Sequence, residues 1–186
     1  MSRFQLIAVA ICFLINMLDG FDVLVIAFTA NNISNEWALS GKSTGILFSS
    51  GLTGMAIGAI FLGRLADVYG RRMLIVACLT IITLGMLLSS ITNALYQLVA
   101  MRVLTGIGVG GALASVNIIT AEYSSNKRRG LAISVVQVGY PLGGMIGGAV
   151  AAFLVPENGW RSIFVFGAFL SAIMIPMVLW RLPESI

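Results

Sequence analysis

The sequence predicts an all-α, polytopic membrane protein with six spanning helices, and three observations carry that expectation. Of its 186 residues, 59% are hydrophobic and only 10% charged, against about a quarter charged in an ordinary soluble domain; the mean hydropathy is +1.01. The apolar residues gather into six runs, 4–28, 44–63, 73–90, 95–121, 131–155 and 163–180, each near the roughly 20 residues a helix needs to cross the hydrocarbon. Strands of a membrane barrel would be about 10 residues of alternating polarity, which these runs are not. The basic residues then fall on one side. Arg3, Arg64, Arg71, Arg72, Lys127, Arg128, Arg129 and Arg181 share one end of such a bundle, and only Lys42 and Arg161 the other. Eight against two predicts that both termini are cytoplasmic; the expected location is the cell inner (plasma) membrane. The net charge of +4 therefore reports topology and gives no reason to expect a nucleic-acid partner.

The first run holds the most informative residues. Asn16, Asp19 and Asp22 recur every three positions, so a helix presents them on one stripe. A carboxylate deep in a membrane helix costs roughly 2.5 kcal/mol or more and persists when it faces protein or a water-filled cavity; the stripe is expected to point inward. Could residues 1–15 be a cleaved signal? No small-residue cleavage site follows, and the polar stripe continues the helix instead. A loop rich in Asn and Ser is expected over 29–43, where Asn32-Ile33-Ser34 matches a glycosylation acceptor that is common by chance.

The second, fourth and fifth runs carry small residues at helical intervals: Gly51, Gly54 and Gly58; Gly106, Gly108, Gly110 and Gly111; Gly143, Gly144, Gly147 and Gly148. Such faces let helices approach closely. Gly106 to Gly111 also fits the spacing of a dinucleotide-binding turn, but it lacks the preceding strand and the later acid that the chemistry requires. Tight connections are expected at 64–72, 91–94, 122–130 and 156–162, and Pro183 is expected to stop the sixth helix. Cys12 and Cys78 both lie within predicted helices and indicate no disulfide framework.

Depth brings opposite charges together. At 1.5 Å per residue, Asp22 lies about 9 Å below the outer end of the first helix and Arg102 about 10 Å below that of the fourth. A pair between Arg102 and either acid would relieve both; a structural ion pair setting helix register is the simpler role for it. Two acids with one base leave one carboxylate unneutralised and able to take up a proton. The chain has no histidine, so a proton relay must use carboxylates; Asp22 is favoured as the proton site with Asp19 as its coupled neighbour, though the two can titrate as a unit. At the basic end, Asp67 and Arg71 each sit at the unfavourable end of a helix dipole. With Glu122 and the nearby cluster Lys127-Arg128-Arg129 they form a candidate charge latch, while topology accounts for Arg72 and Lys127 and a tight turn for Gly70, but not for Asp67.

These motifs resemble a known family. Gly63-Arg64-Leu65-Ala66-Asp67-Val68-Tyr69-Gly70-Arg71-Arg72 resembles the signature between helices two and three of the major facilitator superfamily. Leu98 to Gly108 is similar to its fourth-helix motif, Glu122 through Arg129-Gly130 to the following loop, and Pro183-Glu184-Ser185 to the sequence after helix six. Asp19-Gly20-Phe21-Asp22 resembles the first-helix motif of the aromatic acid:proton symporters, which include 4-hydroxybenzoate transporters. The resemblance implies the N-terminal half of a major facilitator fold, with residues 1–186 as one six-helix domain lacking its C-terminal six-helix partner. It implies proton coupling or substrate recognition by Asp19, Asp22 and Arg102, a guanidinium suited to a small organic anion, and a conformational latch of Gly63, Asp67, Gly70, Arg71, Glu122 and Arg129. Tyr140, Phe21 and Phe48 are candidates to stack on an aromatic substrate, although membrane-helix aromatics more often serve packing. The run Gly139-Tyr140-Pro141 departs from the spacing of drug antiporters.

The leading expectation is proton-coupled symport of an aromatic carboxylate by alternating access. A non-coupled facilitator, a carrier of another class such as sugar acids, and a six-helix binding or assembly module are the alternatives. With no histidine, no metal-ligand cluster and no paired nucleophile and base, neither an enzyme nor a cofactor is expected.

Overall fold

Each apolar run becomes one helix: α1 (Arg3–Trp37), α2 (Gly41–Tyr69), α3 (Arg71–Ser90), α4 (Leu95–Tyr123), α5 (Arg129–Asn158) and α6 (Arg161–Arg181). The computed structural model describes residues 3–124 and 128–182, without the side chains of Arg3, Phe4 and Asp67. All six helices are long and apolar enough to cross a membrane, and among the described residues there is no strand.

The connections are shorter than the composition suggests. The expected loop over 29–43 is mostly helix, because α1 runs on to Trp37 and α2 begins at Gly41. Thr29 and Ile33, one turn apart, are fully buried and continue the buried stripe of α1, so packing overrides the Asn and Ser around them. Ala38 then takes a positive φ of 48°, and the Ser40 hydroxyl caps α2 by accepting from the Ser43 N–H at 3.3 Å. The expected loop over 64–72 shrinks to Gly70 alone, whose φ of 85° turns α2 directly into α3; a side chain there would be strained. Gly159, at φ 75°, and Trp160 make the two-residue turn between α5 and α6. Arg129 belongs to α5 rather than to a loop. Lys127 and Pro183 lie outside the described residues.

The small residues decide how the helices pair. A Cβ on Gly54 or Gly58 would strike the Val103 or Ile107 carbonyl, and one on Gly106 or Gly110 the carbonyl of Gly51 or Met55. α2 and α4 thus meet backbone to backbone. α1 and α5 do likewise, Gly20 lying on the Tyr140 carbonyl and Gly143 on that of Met17. α3 packs between α4 and α6, and α1 also touches α4 and α6, so α1 and α4 are the most enclosed helices.

The buried apolar side chains form two clusters. One, toward the basic end, includes Ile15, Leu18, Leu79, Ala112, Val136 and Met174; the other includes Phe21, Ile82, Val109, Ala151 and Ala168. On every helix that contributes to both, the boundary falls near mid-length, and there the polar residues Asp19 and Ser171 are fully buried.

The backbone contacts predict opposite effects of one substitution at two glycines. Gly110→Ala should lower stability by about 1–3 kcal/mol through overpacking, whereas Gly45→Ala, with nothing within 4 Å of the new carbon, should gain up to about 1 kcal/mol from helix propensity. Thermal unfolding of the detergent-solubilised protein measures both, and equal effects would show that the α2–α4 contact is not this close.

Candidate functional site

Between the boundary of the two apolar clusters and the second of them, four helices converge on a charged pair. Asn16, Asp19 and Asp22 are all buried, so the α1 stripe faces protein. Arg102 of α4 donates from Nη1 to Asp22 Oδ1 at 3.3 Å. Its Nη2 donates to the Ser89 hydroxyl of α3 at 3.0 Å and lies 3.6 Å from Met86 Sδ. Ser89 in turn donates to the Gly85 carbonyl at 2.6 Å, which turns its lone pairs toward the guanidinium. Below the cation lies the Phe164 ring of α6, with its centroid 5.0 Å from Cζ, a distance at which the ring face attracts a positive charge.

Asp19 has none of this support. Neither of its carboxylate oxygens has a hydrogen-bond partner, and the residue is fully buried. One turn earlier, Asn16 donates from Nδ2 to the Val136 carbonyl of α5 at 2.6 Å, which leaves its Oδ1 buried and unpartnered. The pairing joins the two groups whose depths match, and it leaves Asp19, not Asp22, as the carboxylate without a counter-charge. Tyr140 is half-buried on α5 and makes no hydrogen bond to Asp19.

Beside the ion pair is a cavity of about 30 Å³, walled by Asp22, Arg102, Thr105, Phe48, Leu52 and Met55 among others. That is room for about one water, whereas a cavity that takes benzene is about 150 Å³. Phe48 lines this space, while Phe21 is buried in packing with its ring 6.0 Å from that of Phe166.

The end of the bundle away from the basic residues is clamped. Glu36, on the last turn of α1, accepts from Trp160 Nε1 at 2.6 Å and from Arg161 Nη1 at 2.9 Å. Arg161 also donates to the Thr92 carbonyl at 3.1 Å and stacks on Trp160. Trp160 meets Trp37 and Phe164 edge to face, at 5.6 and 5.7 Å. The contacts run unbroken from Glu36 through Trp160 and Phe164 to Arg102. Sequence reasoning missed Ser89, Met86, Phe164 and this clamp; Thr29 and Ile33, at a four-residue interval, were the available sign that α1 continues far enough to build it.

At the basic end, Arg71 and Glu122 form an ion pair between the start of α3 and the end of α4. Arg72 donates to the Leu179 carbonyl, tying α3 to α6. Gly70 makes the turn, and Gly63 packs toward the Ala114 side chain. Arg129 is exposed at the start of α5, and no ion pair joins it to Glu122 among the described residues. The side chain of Asp67 lies outside the described part of the structure. Among the described residues no cluster of His, Cys, Asp and Glu suits a metal.

Known proteins resemble this chain in sequence and fold. The chain matches the Major Facilitator Superfamily over residues 9–185. It is similar to a gallate transporter of Pseudomonas putida, 35% identical over 99% of this chain and 41% of the relative. It is 36% identical to a 4-hydroxybenzoate transporter of Pseudomonas aeruginosa, over 100% of this chain and again 41% of the relative. Its fold is that of a bacterial homologue of the human lysosomal transporter Spinster in an inward-facing state, with a TM-score of 0.88 and 22% identity over 100% of this chain and 44% of that one. The inward-open xylose transporter XylE from E. coli gives 0.85 and 22%, over 95% and 47%. The chain thus spans about two fifths of the length of the curated relatives it matches.

The ion pair predicts a stability cycle. Arg102→Met leaves Asp22 buried and unpaired and should cost roughly 3–5 kcal/mol, most of which Asp22→Asn in the same molecule should restore. Thermal unfolding of the single and double variants in detergent measures the coupling; additive losses would mean that the two side chains do not interact.

Proposed function

Because this chain belongs to the major facilitator superfamily, a family of multi-pass membrane transporters and not of enzymes, we propose that it is the first half of a proton-coupled symporter for a small aromatic carboxylate. The observation that carries this reading is a buried guanidinium paired with one acid beside a second acid that has no partner. Relatives named for gallate, 4-hydroxybenzoate and 3-(3-hydroxy-phenyl)propionate transport support the substrate class. The basic end faces the cytoplasm of a cell whose inner membrane holds the protein, following the distribution of Lys and Arg.

The charge count supplies the coupling. With both acids ionised, Asp19, Asp22 and Arg102 sum to one negative charge, and a carboxylate approaching Arg102 meets net repulsion. A proton on Asp19 makes the group neutral, so that the substrate anion can compete with Asp22 for the guanidinium, whose planar donors suit a carboxylate. Loading the site then requires both ligands. The cavity of about 30 Å³ beside the pair is too small for an aromatic ring, so the remaining volume belongs between this half and a second six-helix half, around which alternating access takes place. The Arg71–Glu122 pair, with Gly63, Gly70, Asp67 and Arg129 near it in sequence, serves as the inner latch of that motion, and Tyr140 as a wall of the substrate space.

An inward gradient of one pH unit is worth about tenfold accumulation for each coupled proton. In vesicles holding the complete gene product, Asp19→Asn should abolish accumulation of 4-hydroxybenzoate driven by such a gradient while preserving exchange across the membrane. Gradient-driven accumulation by that variant would overturn Asp19 as the proton site, and accumulation by the unaltered protein with the gradient collapsed would overturn proton coupling.

A further inference from the structure

Three buried acceptor atoms lie near the middle of α1 without a donor: Asn16 Oδ1 and both carboxylate oxygens of Asp19. An unmade hydrogen bond at a buried polar group costs about 1–3 kcal/mol, so three on two neighbouring side chains call for a common cause. The two residues are three apart on one helix, where side chains are neighbours about 5–6 Å apart at Cβ. Asn16 cannot turn its amide nitrogen toward Asp19 without giving up the 2.6 Å bond to the Val136 carbonyl. Its oxygen is therefore held as an acceptor, and only a donor can satisfy it.

We propose that Asn16 is a positioning residue for the protonation of Asp19: anchored to α5 through Nδ2, it holds Oδ1 ready to accept the hydrogen of the Asp19 carboxylic acid. A proton arriving on Asp19 creates the one donor the cluster lacks. Asn16 thereby favours the neutral acid over the carboxylate, and it does so from a fixed position, since α1 and α5 are in backbone contact at Gly20, Gly139 and Gly143. This rests on the reading of Asp19 as the proton-carrying group. The other charged or titratable groups facing Asp19 are Asp22 on α1 itself, Cys78 on α3, Arg102 on α4 through its pair with Asp22, and Tyr140 on α5. α6 has no titratable side chain between Arg161 and Arg181.

The sign of one measurement separates this role from a general polar one. An acceptor serving the neutral acid, once removed, makes protonation harder; a polar group that merely solvates the carboxylate, once removed, makes it easier. Infrared difference titration of the complete protein in lipid follows the protonated carboxyl band that Asp19→Asn deletes. In Asn16→Leu its midpoint should move to lower pH by about 0.5–1 unit, the equivalent of one hydrogen bond. Asn16→Ala, smaller than asparagine, should shift it the same way and provides the measurement if leucine crowds the α1–α5 contact. A midpoint that stays or rises overturns the role of Asn16 and leaves Asp19 as the proton site. A band unaffected by Asp19→Asn overturns that reading, and this inference with it.

Discussion

A guanidinium and a carboxylate held 3.3 Å apart among the apolar side chains of the second cluster are the constraint around which the bundle is organised. Removing one ion from water costs several kcal/mol even after relaxation, and mutual attraction offsets this only when further hydrogen bonds and good geometry accompany it. Each neighbouring helix contributes to that requirement. α1 supplies the acid, α3 a hydroxyl and a thioether, α4 the base and α6 an aromatic face. The chain of contacts from Phe164 through Trp160 to Glu36 extends this support to the end of the molecule. Asp19 stands one turn away with nothing comparable, and the proposed coupling rests on that contrast between two similar acids.

Glycine makes such crowding possible. Were Gly20, Gly139 or Gly143 to have a side chain, α1 would be held away from α5, and Asn16 could not reach the Val136 carbonyl at 2.6 Å. The same holds for α2 against α4, whose glycines let Phe48, Leu52 and Met55 close over the cavity beside Arg102. Lacking a hydrophobic drive between helices in lipid, close van der Waals packing of this kind supplies much of the association. Packing and site are one arrangement.

Much of this was legible beforehand, for reasons particular to membranes. Apolar runs near 20 residues separated six helices without reference to any partner, because every backbone polar group in lipid must be satisfied within its own helix. The inward face of Asp19 and Asp22 followed from the expense of exposing them, and the 1.5 Å rise put Arg102 at a matching depth. What stayed hidden depends on contacts across long stretches of chain. Which acid takes the arginine is decided by the rotation of α1 against α4, which a three-residue interval cannot resolve. Ser89, Phe164 and the Glu36–Trp160 bond join residues far apart in sequence, with no local signature. Helix ends were misjudged where Asn, Ser and Arg read as loop, although Ile33 and Gly70 marked respectively a continuing buried stripe and a one-residue turn.

The close approach of α2 to α4 and of α1 to α5 has a mechanical corollary. Where main chain rests on main chain there is no layer of side chains to compress, so each couple behaves as a stiff plank with little slack of its own. The lighter contact between α1 and α4 is the seam between the planks, and Asp22 and Arg102 are the rivet through it. A change in charge at that rivet therefore acts across the seam and not within either plank.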